Sequence, residues 1–234
     1  MQFMAKNNPP DDFDIMHGSK KIAMVKNTKF FGLTLDSTLS WKRHIDTIAT
    51  KLSSAGFALR LLRPLLSLES LRMAYFSYFL SVMTYGIIFW GNSRHSSVIF
   101  RLQKRVIRII TGIRNRDSCR EHFRTLKILP LQSQYILSLL LFVTDNKDLF
   151  QRNFEVHQIN IRNKSSLHQP PSKLSVYQRG AYCTGIRVFN SLPPQIKEVS
   201  HKRQQFKRIL KEFLYTHSFY TLDEYFNCKT TNDI

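Results

Sequence analysis

The spacing of the apolar residues changes at Asp36, and this change constrains the fold more than any other feature of the sequence. Before it, Phe31, Leu33 and Leu35 alternate with small or polar residues, which is the period of a half-buried strand. After it, apolar residues recur at spacings of three and four, as on one face of a helix. These residues are Trp41, Ile45, Ile48, Leu52, Ala55, Leu59 and Leu62. The sequence therefore predicts a small β-hairpin followed by a long amphipathic helix.

The predicted hairpin has two short strands, Lys21 to Val25 and Lys29 to Leu35, joined by a turn at residues 26–28. Residues 1–19 hold paired asparagines, prolines and aspartates and a glycine, so we expect an irregular leader there.

Capping and breaking residues mark the ends of further helices. Ser40 is placed to cap the first helix, and Pro64 ends it after Arg63. The other predicted helices run from Ser67 to Gly91, from Ser96 to Thr111, from Asp117 to before Pro130, from Gln132 to Asn146, from Gly180 to Leu192 and from Ser200 to His217. The predicted fold class is therefore mainly α, with one small β-hairpin on the N-terminal side and a smaller helical region at the C-terminal side.

The charge of the chain is strongly positive. Lys and Arg number 35 against 16 Asp and Glu, which gives a formal charge of +19 in 234 residues. A globular domain this basic repels itself unless an anionic partner is present. Nucleic acid and acidic membrane surfaces are the usual partners, while a solvated basic surface or an acidic protein partner stays open as an alternative.

One predicted helix concentrates this charge. Arg101, Lys104, Arg105 and Arg108 recur at helical neighbour spacings, so they share one face, and the apolar residues of the helix fall largely on the other. Such a face is suited to lie along the phosphates of a nucleic acid, which positions the duplex without reading its sequence.

Other basic residues extend or repeat this pattern. Arg114 and Arg116 continue the positive run beyond the helix. A second cluster consists of Lys202, Arg203, Lys207, Arg208 and Lys211, and a third of Arg60, Arg63 and Arg72.

Two uncharged stretches, Ala74 to Trp90 and Leu129 to Thr144, raise the question of a membrane. Both are shorter than the ~20 apolar residues of a spanning helix, so buried helices of a bundle are the favoured interpretation. The three cysteines are far apart and unpaired in spacing, and no signal-like apolar segment opens the chain. We therefore expect a cytoplasmic or nuclear location and no secretion.

Several blocks of the chain, taken in order, resemble one protein family. They are Lys29 to Asp36, Leu39 to Ile45, Ser81 to Gly91, Leu102 to Gly112, Phe189 to Lys197 and Phe219 to Tyr225. In this order and at this spacing the chain is similar to the part of jockey-like non-LTR retrotransposon reverse transcriptases that follows the polymerase core. The resemblance covers residues 20–228, nearly the whole chain.

The resemblance implies a division of the chain and a function. It implies a primer-grip hairpin at 20–36 and a thumb-like helical domain at 37–148, followed by a connector at 149–175 and a C-terminal helical region at 176–234. The implied partner is an RNA/DNA or DNA duplex, gripped by its backbone. The candidate contacts are Phe31, Gly32, Lys42, Arg43, Arg101, Lys104, Arg105, Arg108, Arg114, Arg116, Lys207, Arg208 and Lys211.

The resemblance also implies what this part of the enzyme would lack. Polymerisation needs paired carboxylates that hold two divalent metals. Asp11-Asp12 is the only Asp pair, and the preceding prolines and its closeness to the hairpin argue against it. We expect the chain to follow the catalytic palm, which is then a possible partner, to carry no cofactor because magnesium belongs to that palm, and to be inactive alone. The spacing of Cys119 and His122 is half a zinc site with no second half.

Three other interpretations stay open. The chain is alternatively a helical interaction module with no nucleic-acid role, a membrane-associated hairpin protein, or the non-functional product of a decayed element.

Overall fold

The computed structural model of the chain describes residues 1–3, 14–157 and 166–228. Within these ranges the protein is mainly helical, with two small antiparallel strand pairs before the first long helix, which confirms the predicted fold class. The strands are β1 (Met16–His17), β2 (Lys20–Lys21), β3 (Asn27–Phe30) and β4 (Leu33–Asp36).

The α-helices of the described ranges are α1 (Lys42–Leu62), α2 (Leu68–Ala74), α3 (Ser81–Thr84), α4 (Ile87–Trp90), α5 (Ser97–Thr111), α6 (Arg120–Thr125), α7 (Leu131–Asp145), α8 (Asn153–His157), α9 (Ser175–Arg179), α10 (Ala181–Asn190), α11 (Pro194–Glu198), α12 (Arg203–His217) and α13 (Leu222–Phe226). A π-helical segment, Tyr75–Leu80, joins α2 to α3. Most predicted helices are confirmed to within a few residues.

The predicted turn of the main hairpin is wrong. The turn lies at Phe31 and Gly32, because Phe30 pairs directly with Leu33 in the antiparallel register of β3 and β4. Both turn residues have positive φ, 44° and 73°, which is the backbone of a two-residue hairpin loop whose twist matches that of the strands. The predicted strand at 21–25 is largely exposed and does not join this sheet.

The predicted leader is only partly described. Residues 4–13, with Asp11-Asp12, lie outside the described residues. The expectation of irregular structure is wrong at its end, where β1 pairs with β2 around a turn that contains Gly18 in a left-handed conformation.

Asp36, rather than Ser40, organises the start of α1. Its carboxylate accepts hydrogen bonds from the backbone N–H groups of Thr38, Ser40 and Trp41 at 3.1, 3.0 and 2.9 Å, and from the hydroxyls of Thr38 and Ser40. The chain between β4 and α1 is therefore folded around one side chain, and the predicted cap at Ser40 is wrong. The Ser40 hydroxyl still accepts a long bond of 3.4 Å from the Lys42 N–H.

The predicted helix from Ser67 to Gly91 is correct at its start and broken near its end. The Ser67 hydroxyl caps α2 by accepting the Ser70 N–H. Its buried residues then come every fourth position: Leu71, Tyr75, Phe79, Met83 and Ile87. A regular α-helix rotates such a stripe by about 40° at each step, so the wider π-helical turns keep the stripe facing the core. Gly86, with φ of 60°, interrupts the helix before α4.

One hydrophobic core unites helices from distant parts of the chain. It runs from Ile45 and Leu52 on α1 through Ile107 on α5 and Leu139 on α7 to Leu210 on α12. The predicted thumb-like and C-terminal ranges therefore share this core.

Gln103 is buried among these helices with its amide fully used. Its Nε2 donates to the Tyr75 hydroxyl and the Leu129 carbonyl, both at 2.9 Å, and its Oε1 accepts the Leu131 N–H at 2.8 Å. This side chain ties the π-helical segment, α5 and the start of α7 together.

The predicted connector has some regular structure. It contains α8 and an isolated bridge between Arg152 and Leu167, while residues 158–165 lie outside the described residues.

The last helix returns to the middle of the chain. The Arg120 guanidinium donates two hydrogen bonds, 2.9 and 3.1 Å long, to the Glu224 carboxylate. The neighbouring Tyr225 is buried, and its hydroxyl donates to the Val188 carbonyl at 2.8 Å. α13 is thus clasped to α6 and α10. In the described ranges no helix combines the length and the apolar character needed to cross a bilayer.

Candidate nucleic-acid interface

The tip of the β3–β4 hairpin presents two aromatic rings to solvent. Phe30 is 59% exposed and Phe31 is 79% exposed, and the rings meet edge to face with centroids 4.5 Å apart. The tip is held from behind, because the Tyr85 hydroxyl donates a 2.6 Å hydrogen bond to the Phe31 carbonyl. Gly32 lies against the same ring, where an added Cβ would stand 3.2 Å from Tyr85.

Strand β4 anchors the hairpin to Gly86 beside its tip, at Leu33, and to α1 towards its base, at Thr34. The side chain of Leu33 fills the space beside Gly86, and the Thr34 N–H donates to Nδ1 of His44 at 3.3 Å. His44 is buried, and burial, with a contribution from Lys51, lowers the pKa of its imidazole below the ordinary value.

Asp36 is held as a carboxylate at this base. Burial alone would raise its pKa, but hydrogen bonds from Thr38, Ser40 and Trp41 together outweigh burial and lower the pKa below its usual value. The candidate residues Lys42 and Arg43 follow directly, both exposed in the first turn of α1. The hairpin and these two cations therefore lie at the same end of α1.

The basic face predicted on α5 is present. Arg101 and Arg105 are exposed, Lys104 and Arg108 are half-buried, and the buried side of the helix is formed by Ile99, Gln103, Val106, Ile107 and Ile110. Gly112, with φ of 77°, ends the helix in the left-handed conformation expected of a C-terminal breaker.

Lys104 and Arg108 differ from their exposed neighbours because each makes contacts within the protein. The Lys104 ammonium lies over the ring of Phe100, 4.7 Å from its centroid. The Arg108 guanidinium donates to the Asp117 carbonyl at 3.1 Å, and the Asp117 carboxylate accepts the Arg114 N–H at 3.1 Å. Arg108 therefore helps to order the loop that carries the exposed candidates Arg114 and Arg116.

α1 contributes to the same surface because it packs closely on α5. Gly56 allows this approach, since an added Cβ would stand 3.1 Å from Val106. Arg60 and Arg105 line one groove between the two helices, and further along the Arg63 guanidinium lies against Gly112. Two residues of the third sequence cluster thus join the α5 face.

Arg72, the remaining residue of that cluster, is instead bound by groups of the protein itself. Its guanidinium forms an ion pair with Glu69 at 3.0 Å and donates to the Leu126 carbonyl at 2.7 Å. The second cluster divides in the same way, because Arg203 pairs with Asp145 through two hydrogen bonds.

The remaining candidates of the second cluster lie on α12. Lys207 and Arg208 are exposed and Lys211 is half-buried. α12 packs mainly against α7, whereas α5 packs mainly against α1, so these candidates form a basic surface apart from the α1–α5 surface.

The candidate cations share one electrostatic property. Within the described ranges none of them forms an ion pair with a carboxylate, whereas Arg72, Arg120, Arg124 and Arg203 each do. The structure therefore separates arginines that pair with a carboxylate of the protein from cations that have no such partner in the described ranges. We use "arginine row" for four exposed and unpaired arginines at the α1–α5 surface: Arg60 on α1, Arg63 directly after it, and Arg101 and Arg105 on α5.

Groups suited to metal binding or nucleophilic chemistry are scarce in the part that the structure describes. It contains no group of three or more His, Cys, Asp or Glu that could hold a metal ion. Cys119 is buried, and burial raises the pKa of its thiol, opposite to the shift of a reactive cysteine.

A scan of protein-family models, a search of curated proteins and a search of solved structures find no match to this chain.

Sequence reasoning missed two contributions to this surface. Arg60 and Arg63 join Arg105 only because α1 packs alongside α5. Residue spacing within one helix carries no information about this packing between helices. Tyr85 supports the hairpin tip from 54 residues away, and nothing in the residue pattern around it indicates this contact.

Proposed function

We propose that this chain grips a nucleic-acid duplex by its phosphate backbone, in the manner of the primer grip and thumb of a non-LTR retrotransposon reverse transcriptase. The observation that carries the proposal is the arginine row, which directs four guanidinium groups to one surface without ion-pair partners among the described residues. Phosphate oxygens, like carboxylate oxygens, match the geometry of such forked donors.

The dimensions of α1 support a duplex as the ligand. The helix has 21 residues and is therefore about 31 Å long. At about 3.4 Å per base pair this length spans roughly nine base pairs. Lys42, Arg43 and the hairpin stand at one end of this length, and Arg60 and Arg63 at the other. A duplex of this length lying along α1 would reach from Arg60 and Arg63 to the hairpin.

The proposal covers binding alone and assigns no chemical step to these residues. On this proposal the exposed Phe30 and Phe31 rings stack on a terminal base or sugar, which tolerates any sequence because every base has an apolar face. The same proposal includes a cytoplasmic or nuclear location and a catalytic palm domain as a neighbouring partner.

The test is the affinity of the purified chain for a labelled RNA/DNA primer–template hybrid across a salt series. The informative variant is Arg101→Ala with Arg105→Ala, because both side chains are exposed and neither holds the fold together. Lys147→Ala with Lys173→Ala is the matched control, since it removes two exposed charges away from the arginine row. Circular dichroism verifies that all three proteins are folded.

We expect the wild-type affinity to fall steeply with salt, and the slope of log affinity against log salt to decrease by about two in the arginine variant only. A folded wild-type chain that does not bind the hybrid at low salt would refute the proposal. Equal effects of the arginine variant and its control would refute the assignment of binding to the arginine row.

An acidic protein partner is a second candidate, favoured by apolar side chains beside the row. Phe57 and Leu61 flank Arg60 on α1, and Leu65, just beyond the helix, is 77% exposed. Phosphates gain nothing from such residues, whereas a protein neighbour does. Substitution of Leu61 and Leu65 by Ser tests this second candidate. The substitutions remove apolar side chains that only a protein partner would contact, so on the nucleic-acid proposal the affinity for the hybrid should stay unchanged.

A further inference from the structure

An open pocket lies at the turn between α4 and α5. It is lined by Asn92, Ser93, Arg94 and Arg179. Arg94 belongs to the turn between α4 and α5, and Arg179 is the last residue of α9. The fold therefore brings two arginine residues from distant segments to the lining of one pocket.

Hydrogen bonds fix the backbone around these two arginines. The Asn92 Nδ2 donates at 3.4 Å both to the carbonyl of Arg179, 87 residues away, and to the Thr184 hydroxyl. The Ser93 hydroxyl donates at 2.9 Å to the Ser40 carbonyl, in the segment that Asp36 organises. The turn that carries Arg94 is thus tied both to α9 and to the start of α1.

The charge of this pocket is not balanced by the described part of the protein. Arg94 and Arg179 are exposed, neither forms an ion pair there, and no carboxylate lines the pocket. Two like charges held in one pocket repel each other, and an anion between them would relieve this repulsion. Elsewhere the protein supplies the anion itself, as Asp145 does for Arg203.

We infer that this pocket binds a single phosphate group, held between the guanidinium groups of Arg94 and Arg179. Guanidinium groups give forked, charge-assisted hydrogen bonds to phosphate oxygens. The Ser93 hydroxyl contacts Ser40, which lies two residues before Lys42, so the pocket lies near the first turn of α1. On the proposed function, on which this part rests, the group is a backbone phosphate of the strand that passes the hairpin.

The first experiment tests the phosphate site without nucleic acid. Inorganic phosphate is titrated into the chain at constant ionic strength, and the Nε–Hε resonances of its arginines are followed by NMR. We expect the Arg94 and Arg179 signals to move together along one saturating curve, and Arg94→Gln to abolish the movement of Arg179. Movements that are linear and no larger than that of the exposed Arg152 would overturn the inference, because they indicate only a diffuse ion atmosphere.

The second experiment identifies the source of the phosphate. The salt series with the primer–template hybrid is repeated with Arg94→Gln/Arg179→Gln and with Lys147→Gln/Lys173→Gln as the matched control. We expect the salt slope to decrease by about one in the arginine variant and to stay unchanged in the control.

The two experiments separate the inference from the proposed function. In one outcome, phosphate moves the Arg94 and Arg179 resonances together, but the chain does not bind the hybrid. This outcome would support the pocket as a site for a free phosphate or phosphomonoester and would refute the proposed function. Hybrid binding with an unaltered slope in the arginine variant would overturn the backbone phosphate as the occupant.

Discussion

The hydroxyl of Tyr85 lies 2.6 Å from the carbonyl oxygen of Phe31 and donates a hydrogen bond to it. Phe31 has a positive φ, which costs a residue with a side chain about 1–2 kcal/mol relative to ordinary backbone. The bond from Tyr85 stabilises this tip conformation from outside the hairpin. The orientation of the most exposed aromatic ring at the candidate interface therefore depends on a residue of the helical domain.

Tyr85→Phe removes this hydrogen bond and retains the ring. We expect the free energy of unfolding to fall by about 0.5–1 kcal/mol, because a partly exposed hydrogen bond contributes about that much. Chemical denaturation measures the change. Tyr78→Phe is the control, since Tyr78 is similarly exposed and its hydroxyl makes no hydrogen bond within the described ranges; equal losses in both variants would contradict the role of the bond.

Phe31→Ala tests the aromatic tip as a stacking surface. Because Phe31 is mostly exposed, we expect stability to change little while hybrid affinity falls about tenfold, as stacking on one base contributes about 1–3 kcal/mol. Fluorescence anisotropy with the labelled hybrid measures the affinity. Phe154→Ala, which removes an exposed ring on α8, should leave affinity unchanged. An unaltered affinity in Phe31→Ala would rule out stacking.

Asp36→Asn tests the carboxylate around which the β4–α1 segment folds. We expect a loss of about 1–2 kcal/mol at pH 7, because one acceptor oxygen becomes a donor facing N–H and O–H groups. Since the pKa of Asp36 is lowered in the folded protein, its contribution is present above its unfolded pKa of about 3.9 and is lost as the pH falls through the folded value. The difference between wild type and variant should therefore shrink on acidification.

The control for this experiment is Asp46→Asn, on the exposed side of α1, where the carboxylate has no partner in the described part of the chain. A loss as large as that of Asp36→Asn would show that the effect reflects charge on α1 and not the hydrogen bonds.

His44 should make the stability depend on pH in a second window. Its folded pKa lies below the ordinary value of 6.5, so the unfolded chain takes up the proton first as the pH falls. Stability is therefore full above about pH 6.5 and declines below it until the folded pKa is reached. Thermal unfolding between pH 7.5 and 5.5 measures this decline. His44→Asn, whose amide oxygen can replace Nδ1 as an acceptor for Thr34, should flatten it; an identical decline in the variant would contradict the assignment.

Gly86→Ala and Gly18→Ala form a matched pair. The two glycines have nearly the same φ, 60° and 59°, but a Cβ at Gly86 would stand 2.6 Å from Leu33, while nothing lies within 4 Å at Gly18. We expect about 1–2 kcal/mol of destabilisation from backbone strain at either position, and about 1–3 kcal/mol more at Gly86 from displacing Leu33. The free energy of unfolding is measured in denaturant. Equal losses in the two variants would show that the packing of Leu33 does not require the missing side chain at Gly86.

Local signals predicted the helices well and the hairpin poorly. α1 and α5 have periodic apolar faces and clear terminating residues, Pro64 and Gly112, and both predictions are confirmed. The hairpin turn was misplaced because it puts Phe31 in a left-handed conformation, which sequence rules reserve for glycine, asparagine and aspartate. The cap was misassigned because Asp36 acts across several residues of loop instead of from the capping position.

The interface was predictable within one helix and not between helices. The spacing of Arg101 and Arg105 alone indicated a shared exposed face. The approach of Arg60 to Arg105 requires the contact of Gly56 with Val106, and the pairing of Arg203 with Asp145 requires the packing of α12 on α7. Both depend on tertiary alignment, so sequence could neither add Arg60 to the surface nor remove Arg203 from the basic cluster.

The π-helical segment makes the hairpin sensitive to insertions and deletions far from it. Each residue of a helix turns the chain by about 100°, so the number of residues between Tyr75 and Tyr85 decides the direction in which the Tyr85 hydroxyl points. Loss of a single residue from this segment could be absorbed by a return to regular α-helix, but only if Leu71 and Met83 both stay in the core. Otherwise the phase of the helix shifts and the hydroxyl swings away from Phe31. The number of residues in this segment therefore fixes the direction of the Tyr85 side chain. We expect natural variation there to preserve the residue count more strictly than the residue identities.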